Sequence, residues 1–285
     1  MNIKFLTKII LSIAIIISVN TFGQNETEVE KAPVKIGVKF GYSIGNLKDN
    51  SSNTYTKDFE STDGADIGVT FEFPINDGFS VQTEINYIQR GGLRNGMQPA
   101  PNDELYSQLN QFLPLFGFPE VTDTNPLFAN FEGEIDLNYL EFPVLAKFIW
   151  GNKTKFYVEG GLYTSILVSA KQYTSGTSQL FLDENGSVPV FVPNPNYNPA
   201  DPTQPPVFDL PPQSFEAETD IKDDLKTVNF GVVGGVGIIQ QISDRDELYL
   251  GARGSYSFNS IQINNTFGES KIGGIIFSIG YAYTL

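Results

Sequence analysis

From residue 34 onward the chain alternates. Val34, Ile36, Val38, Phe40 and Tyr42 share one parity, and Lys35, Gly37, Lys39, Gly41 and Ser43 the other. The same period of two sets Ile67, Val69, Phe71 and Phe73 against Asp66, Gly68, Thr70 and Glu72, then Phe79, Val81, Thr83, Ile85 and Tyr87 against Ser80, Gln82, Glu84 and Asn86. It returns over 156–169, 228–238, 248–258 and 274–285. A period of two is the strand period, because successive side chains leave a pleated backbone on opposite faces. The stretch Glu134 to Trp150 breaks step: Ile135, Leu137 and Tyr139 hold one parity, then Leu140, Phe142, Val144, Ala146 and Phe148 the other. One extra residue near Tyr139–Pro143 would restore the phase as a β-bulge, where Pro143 is tolerated because it has no N–H to give a ladder.

The two faces differ in kind. One is apolar and aromatic; the other is small, glycine-rich or charged. A soluble lipocalin-like barrel or sandwich turns its large apolar residues inward. A narrow membrane barrel does the reverse, since lipid lies outside and little room remains within. The connections separate these alternatives. Ile75-Asn76-Asp77-Gly78, Gly151-Asn152-Lys153 and Ser243-Asp244-Arg245-Asp246 are short turns. Between them fall connections of about 20, about 40, about 50 and about a dozen residues, in strict alternation with the turns. The pattern predicts an all-β fold: an antiparallel up-and-down transmembrane β-barrel of about eight strands over 34–285, with long extracellular loops.

Two loops carry patterns of their own. Residues 183–215 hold Pro189, Pro193, Pro195, Pro199, Pro202, Pro205, Pro206, Pro211 and Pro212, which predict extended or irregular chain that buries no core. The loop 91–131 has an apolar middle (Leu105, Leu109, Phe112, Leu113, Leu115, Phe116, Phe118) that predicts a short helix packed on the barrel rim, with an exposed contact patch as the alternative. Tyr42, Tyr87, Tyr139, Trp150, Phe156, Phe258, Tyr281 and Tyr283 fall near strand ends, where aromatic girdles meet the membrane interfaces.

The first residues read as a signal peptide over 1–24: Lys4 and Lys8, an apolar run from Ile9 to Val19, then Thr21-Phe22-Gly23-Gln24 with cleavage near Gly23 or Gln24. Residues 25–33 follow as a polar periplasmic lead-in. The 285 residues carry a formal charge of −15, which argues against nucleic acid as a partner.

The segment Leu137-Asn138-Tyr139-Leu140-Glu141-Phe142-Pro143-Val144-Leu145-Ala146-Lys147-Phe148 resembles the YLEIP-LLKY strand of the outer-membrane β-barrel domain family of Bacteroidota, the PorT-like group. Phe156-Tyr157-Val158-Glu159-Gly160-Gly161-Leu162-Tyr163 resembles that family's next strand, and Ile36–Tyr42 and Phe277–Tyr283 also fit. The resemblance implies an outer-membrane barrel, and its founder points to an accessory role in an envelope or secretion apparatus.

The sequence has no histidine and no cysteine. Ser-His and Cys-His nucleophiles and His-based zinc sites are therefore excluded. No catalytic residue, cofactor or metal site is expected. Asp183-Glu184-Asn185-Gly186-Ser187 and Asp220-Ile221-Lys222-Asp223-Asp224 match no defined calcium loop and read as solvated surface. The best constellation is the set of charges on the small, polar face: Lys35, Lys39, Glu72, Glu84, Glu159 and Arg253, with Glu141 and Lys147 joining after the bulge. Buried charges must pair, so these predict a lumen ionic network centred on Arg253 with Glu84 or Glu159. It fills the lumen structurally or, alternatively, forms a gate or narrow polar path. The function expected is a non-enzymatic surface barrel in contact with outer-membrane lipid, whose loops meet another envelope protein or a ligand. The alternatives are a small pore or transporter and a soluble ligand-binding barrel.

Overall fold

The computed structural model describes residues 33–49, 54–100, 104–201, 203–264 and 268–285. The signal-peptide reading and the lead-in up to residue 32 lie outside the described residues. Eight long strands follow: β1 (Lys35–Asp49), β2 (Glu60–Asn76), β3 (Phe79–Pro99), β4 (Phe128–Gly151), β5 (Thr154–Ser175), β6 (Val228–Gln241), β7 (Asp246–Ser257) and β8 (Ser270–Thr284). Each runs antiparallel to the next, and β8 closes on β1 from Lys35 opposite Thr284 to Asp49 opposite Ser270. Closure leaves no strand edge, the one way a sheet can satisfy its backbone in hydrocarbon.

Parity sets the faces. Val38, Phe40, Tyr42, Ile67, Ile85, Val144, Phe148, Leu162, Val236, Leu250, Ile275, Phe277 and Ile279 are exposed on the outer wall, while Lys39, Ser43, Asp66, Thr70, Gln82, Glu84, Asn86, Glu159 and Arg253 are buried within. The soluble alternative is thereby overturned, since it places the large apolar side chains inside. No helix among the described residues is long and apolar enough to cross a membrane; the strands have the length for it. A tilted crossing takes about 9–11 residues, and β3, β4 and β5 have 21, 24 and 22. They continue past the apolar band at one end.

That end carries every long connection: 50–59, 100–127, 176–227 and 258–269. The turns at Asp77–Gly78, Asn152–Lys153 and 242–245 sit at the other end, where the Leu285 amide donates to the Val34 carbonyl.

Two expectations about β4 are corrected. The strand does not change phase: Ile135, Leu137 and Tyr139 point inward with Glu141, Leu145 and Lys147, and its pairing with β3 keeps one register on both sides of Phe142–Pro143. The register shift lies across the ladder, where Asn138 opposes Ser169 but Tyr139 opposes Leu167, leaving Val168 of β5 as the bulged residue. Apolar side chains at 135–139 face inward because the lumen there is itself apolar. For the same reason Tyr139 is not a girdle residue; it is fully buried.

Candidate functional site

The lumen is built in layers by inward parity. Nearest the turns, Glu247 receives Lys35 at 2.6 Å and Lys155 at 2.9 Å. Beside it Glu72 receives Lys147 at 2.8 Å, and the Lys35 ammonium lies 3.7 Å away. Lys147 also donates to Gln82 at 2.9 Å and lies 4.6 Å from the centre of the Tyr157 ring.

Above this sits Arg253. Its Nη1 and Nη2 donate to the two oxygens of Glu84 at 2.7 and 2.6 Å, and its Nε donates to Glu159. Lys39 places its ammonium 2.9 Å from Asp66 and 3.0 Å from Glu84. Asn86 and Gln82 donate to the same Glu84 carboxylate. Glu84 is thus enclosed by one guanidinium, one ammonium and two amides, the environment a buried carboxylate needs to stay ionised. Gln82 bridges this cluster to Lys147 and the layer below.

The next layer pairs Arg90 with Glu141 at 3.0 Å, with the guanidinium 5.7 Å from the Tyr163 ring centre. Toward the loops the lining turns apolar: Leu47, Ile88, Leu137, Tyr139, Leu167, Ile272 and Ile276 form one cluster. Leu225 and Ile261 from the connections, with Phe59 and Ile221 packed alongside, close its top. Backbone bonds from Lys226 to Ile261 and from Ile263 to Asp224 tie the two connections together over it.

Glycines make room for the interior rings. A Cβ on Gly237 would overlap the Tyr157 ring and one on Gly280 the Tyr249 ring. The GVVGGVG run of β6 is therefore a close-packing device.

Lys35, Lys39, Glu72, Glu84, Glu159 and Arg253 all line this lumen, and Glu141 and Lys147 line it too, without any bulge in β4. Asp66, Gln82, Arg90, Lys155 and Glu247 were missed as members. Each keeps the inward parity of its strand, so continuing the alternation one to three residues past the apparent strand ends would have found Arg90, Lys155 and Glu247. Among the described residues the salt bridges of the lumen join six cations (Lys35, Lys39, Arg90, Lys147, Lys155, Arg253) to six carboxylates (Asp66, Glu72, Glu84, Glu141, Glu159, Glu247), a formal charge of zero for the set.

The second region lies beyond the barrel end. The β3–β4 connection forms helix α1 (Glu104–Leu109) and a 3-10 turn at Leu113–Phe116. The β5–β6 connection pairs Thr177–Ser178 with Gln213–Ser214 and Phe191–Pro193 with Val207–Asp209. Between them Tyr106, Leu109, Leu113, Val121, Leu127, Leu180 and Val190 are buried, with Phe112, Phe118, Leu182, Phe191, Leu210 and Phe215 packed around them. The Pro-rich segment was expected to bury no core; this is corrected. Its prolines punctuate the chain, and the apolar residues between them pack against the other loop. The Asn110 amide clamps the backbone of Val121 from both sides, at 2.9 and 2.8 Å.

The two acidic runs serve as turns. Asp183 accepts from the amides of Ser187 and Val188, and Glu184 pairs with Lys57. Asp220 accepts from the Lys222 amide. At the tip, Thr203 donates to Asp201 through its hydroxyl and its amide, which holds this carboxyl below its ordinary range. The platform leaves Leu115 exposed at 81%, with Phe116 and Phe208 also exposed. Its charge is one-sided: residues 104–127 hold three carboxylates and no cation, and 176–227 hold nine carboxylates against Lys222 and Lys226.

Residues 22–262 match the family model for the outer membrane protein beta-barrel domain. Similar solved structures include the outer membrane protein OprG from Pseudomonas aeruginosa (TM-score 0.40, 11% identity, 90% of this chain and 97% of that one). Neisserial surface protein A, NspA, is similar at TM-score 0.38 and 9% identity over 88% of this chain and 97% of that one. The attachment invasion locus protein Ail of Yersinia pestis is similar at TM-score 0.37 and 10% identity over 88% and 99%. At these scores the likenesses carry no functional weight. No curated protein matches the chain.

Proposed function

The chain belongs to the outer membrane protein β-barrel domain family, and from that premise we propose that it is a non-enzymatic outer-membrane anchor whose filled barrel mounts a folded, acidic loop platform for contact with a partner at the cell surface. The observation that carries this reading is the platform's own core, with Leu109, Leu113 and Val190 fully buried. Loops that only join strands have no reason to bury such residues. A fixed surface that shows Leu115, Phe116 and Phe208 among carboxylates suits a partner bearing apolar and cationic groups. The charge-balanced lumen, capped by an apolar layer, supports an anchor over a pore.

The finer assignment belongs to the same reading. The Leu137–Phe148 segment favours the PorT-like barrels of Bacteroidota, with export through a signal peptide cleaved near Gly23–Gln24 and a partner within an envelope or secretion assembly. Catalysis is left out because Ser-His and Cys-His systems lack their residues and no motif supports carboxylate-pair or Ser-Lys chemistry.

Planar-bilayer recording of the purified protein tests the closed lumen: silence is expected, and steady channels would replace the anchor with a pore. Deleting residues 179–212 tests the platform. Secretion or surface attachment should fail while the barrel still assembles; unchanged phenotypes would remove the platform from the function.

A further inference from the structure

On the outer wall, just above the apolar band, β1 and β8 set two lysines side by side. Lys48 lies directly opposite Lys271 in the ladder. Both keep outward parity, continuing Tyr42–Ile44–Asn46 on one strand and Phe277–Ile275–Gly273 on the other. Like charges directly opposite one another destabilise a pair of strands. Among the described residues neither lysine forms a salt bridge, whereas Lys57 close by is paired with Glu184. The Lys271 ammonium is 5.7 Å from the centre of the Tyr256 ring, and Tyr256 lies opposite Gly273, where no side chain intervenes. Lys48 and Tyr256 border a cleft of about 620 Å³ whose lining also includes Asn46, Lys57, Asp58 and Gly273.

Position identifies the ligand. Ile44 and Ile275 are the last apolar outward residues of their strands, and the polar set begins at Asn46. A lysine one turn of the pleat higher reaches down to the headgroup level with its long stem, and a tyrosine beside it sits where interfacial aromatics sit. Elsewhere the loop end is acidic, so two adjacent cations at this depth with no salt bridge among the described residues stand out. We propose that Lys48, Lys271 and Tyr256 form a binding site for the phosphate of a lipid headgroup in the outer leaflet. The two ammonium groups share the phosphate, and the tyrosine ring packs on the glycolipid or glycerol moiety. The phosphate removes the repulsion across the β1–β8 ladder, so binding also fastens the closing strand pair.

The test is native mass spectrometry of the full-length, detergent-purified protein with lipid A, phosphatidylglycerol, phosphatidylcholine or inorganic phosphate added separately. Lipid A and phosphatidylglycerol should be retained and phosphatidylcholine lost. Lys48→Gln/Lys271→Gln should weaken lipid A retention about thirty-fold, the scale expected of two membrane-proximal lysines, and Lys48→Arg/Lys271→Arg should keep it. Removing two cations from the other end, with Lys153→Gln/Arg245→Gln, should change nothing. If the double Gln variant fails to assemble, each single variant should show a partial loss. Equal retention of lipid A by wild type and the Gln variants would overturn the site, as would equal retention of phosphatidylcholine. Displacement of lipid A by millimolar inorganic phosphate would overturn the assignment to a lipid.

Discussion

Arg253 joins β7 to charges on β3 and β5, and it does so among buried side chains. Its fork takes both oxygens of Glu84 while Nε holds Glu159. Removing one partner of such a set leaves an uncompensated charge, which costs far more than the set contributes net. Arg253→Met should therefore destabilise the barrel by about 3–5 kcal/mol, read as a lower urea midpoint in lipid vesicles. The triple change Arg253→Met/Glu84→Gln/Glu159→Gln should recover most of that loss, because no orphan charge remains. A midpoint that falls equally in both variants would mean that volume matters here and charge does not. Packing acts at the same scale at Gly280, where the Tyr249 ring occupies the place of a Cβ. Gly280→Val should cost about 1–3 kcal/mol by overpacking and be rescued by Tyr249→Ala in the same unfolding measurement.

Among the elements, β5 is the informative strand. Its bulge at Val168 lies just past the end of its ladder with β6, which stops at Val228 opposite Ile166. On the β4 side the ladder continues across it, while on the other side Ala217–Asp220 pairs with Lys171–Thr174 above it. Below it Leu167 points inward; above it Ala170 and Thr174 do. Deleting Val168 would join Leu167 to Ser169 and leave an unbroken alternation, so that variant should still assemble, shown by heat-modifiable migration on gels. Deleting Val144 from β4, which has no bulge to absorb the loss, turns every following side chain to the wrong face and should abolish assembly. Along the sequence the bulge falls in β4, because Ile135, Leu137 and Tyr139 have the composition of wall residues. Their parity was plain; that the lumen turns apolar at their level depends on Leu47, Ile272, Leu225 and Ile261 arriving from elsewhere.

At the scale of the molecule there are three zones: an ionic lumen, an apolar layer above it, and a loop platform with a separate core. The platform should therefore fail without the barrel failing. Leu113→Ala removes a fully buried side chain from the platform core, at a cost of about 2–5 kcal/mol. Limited proteolysis should then cut within residues 100–127 or 176–227 while the strands stay protected and the gel mobility of the folded barrel is unchanged. Loss of folded mobility would show that platform and barrel form one cooperative unit.

Strand number, facing and the alternation of turns with long loops were all legible along the chain, because each follows from local parity and local turn chemistry. Lys35, Lys39, Glu72, Glu84, Glu159 and Arg253 were legible as inward residues for the same reason. Which carboxylate meets which cation was not, because strand tilt and stagger set the depth of each residue and bring Arg253 to Glu84, 169 positions away. Nor could a period of two reveal the platform. Its core joins Leu109 and Leu113 to Val190 across two separate connections, and only closure of the barrel brings those loops over the same end.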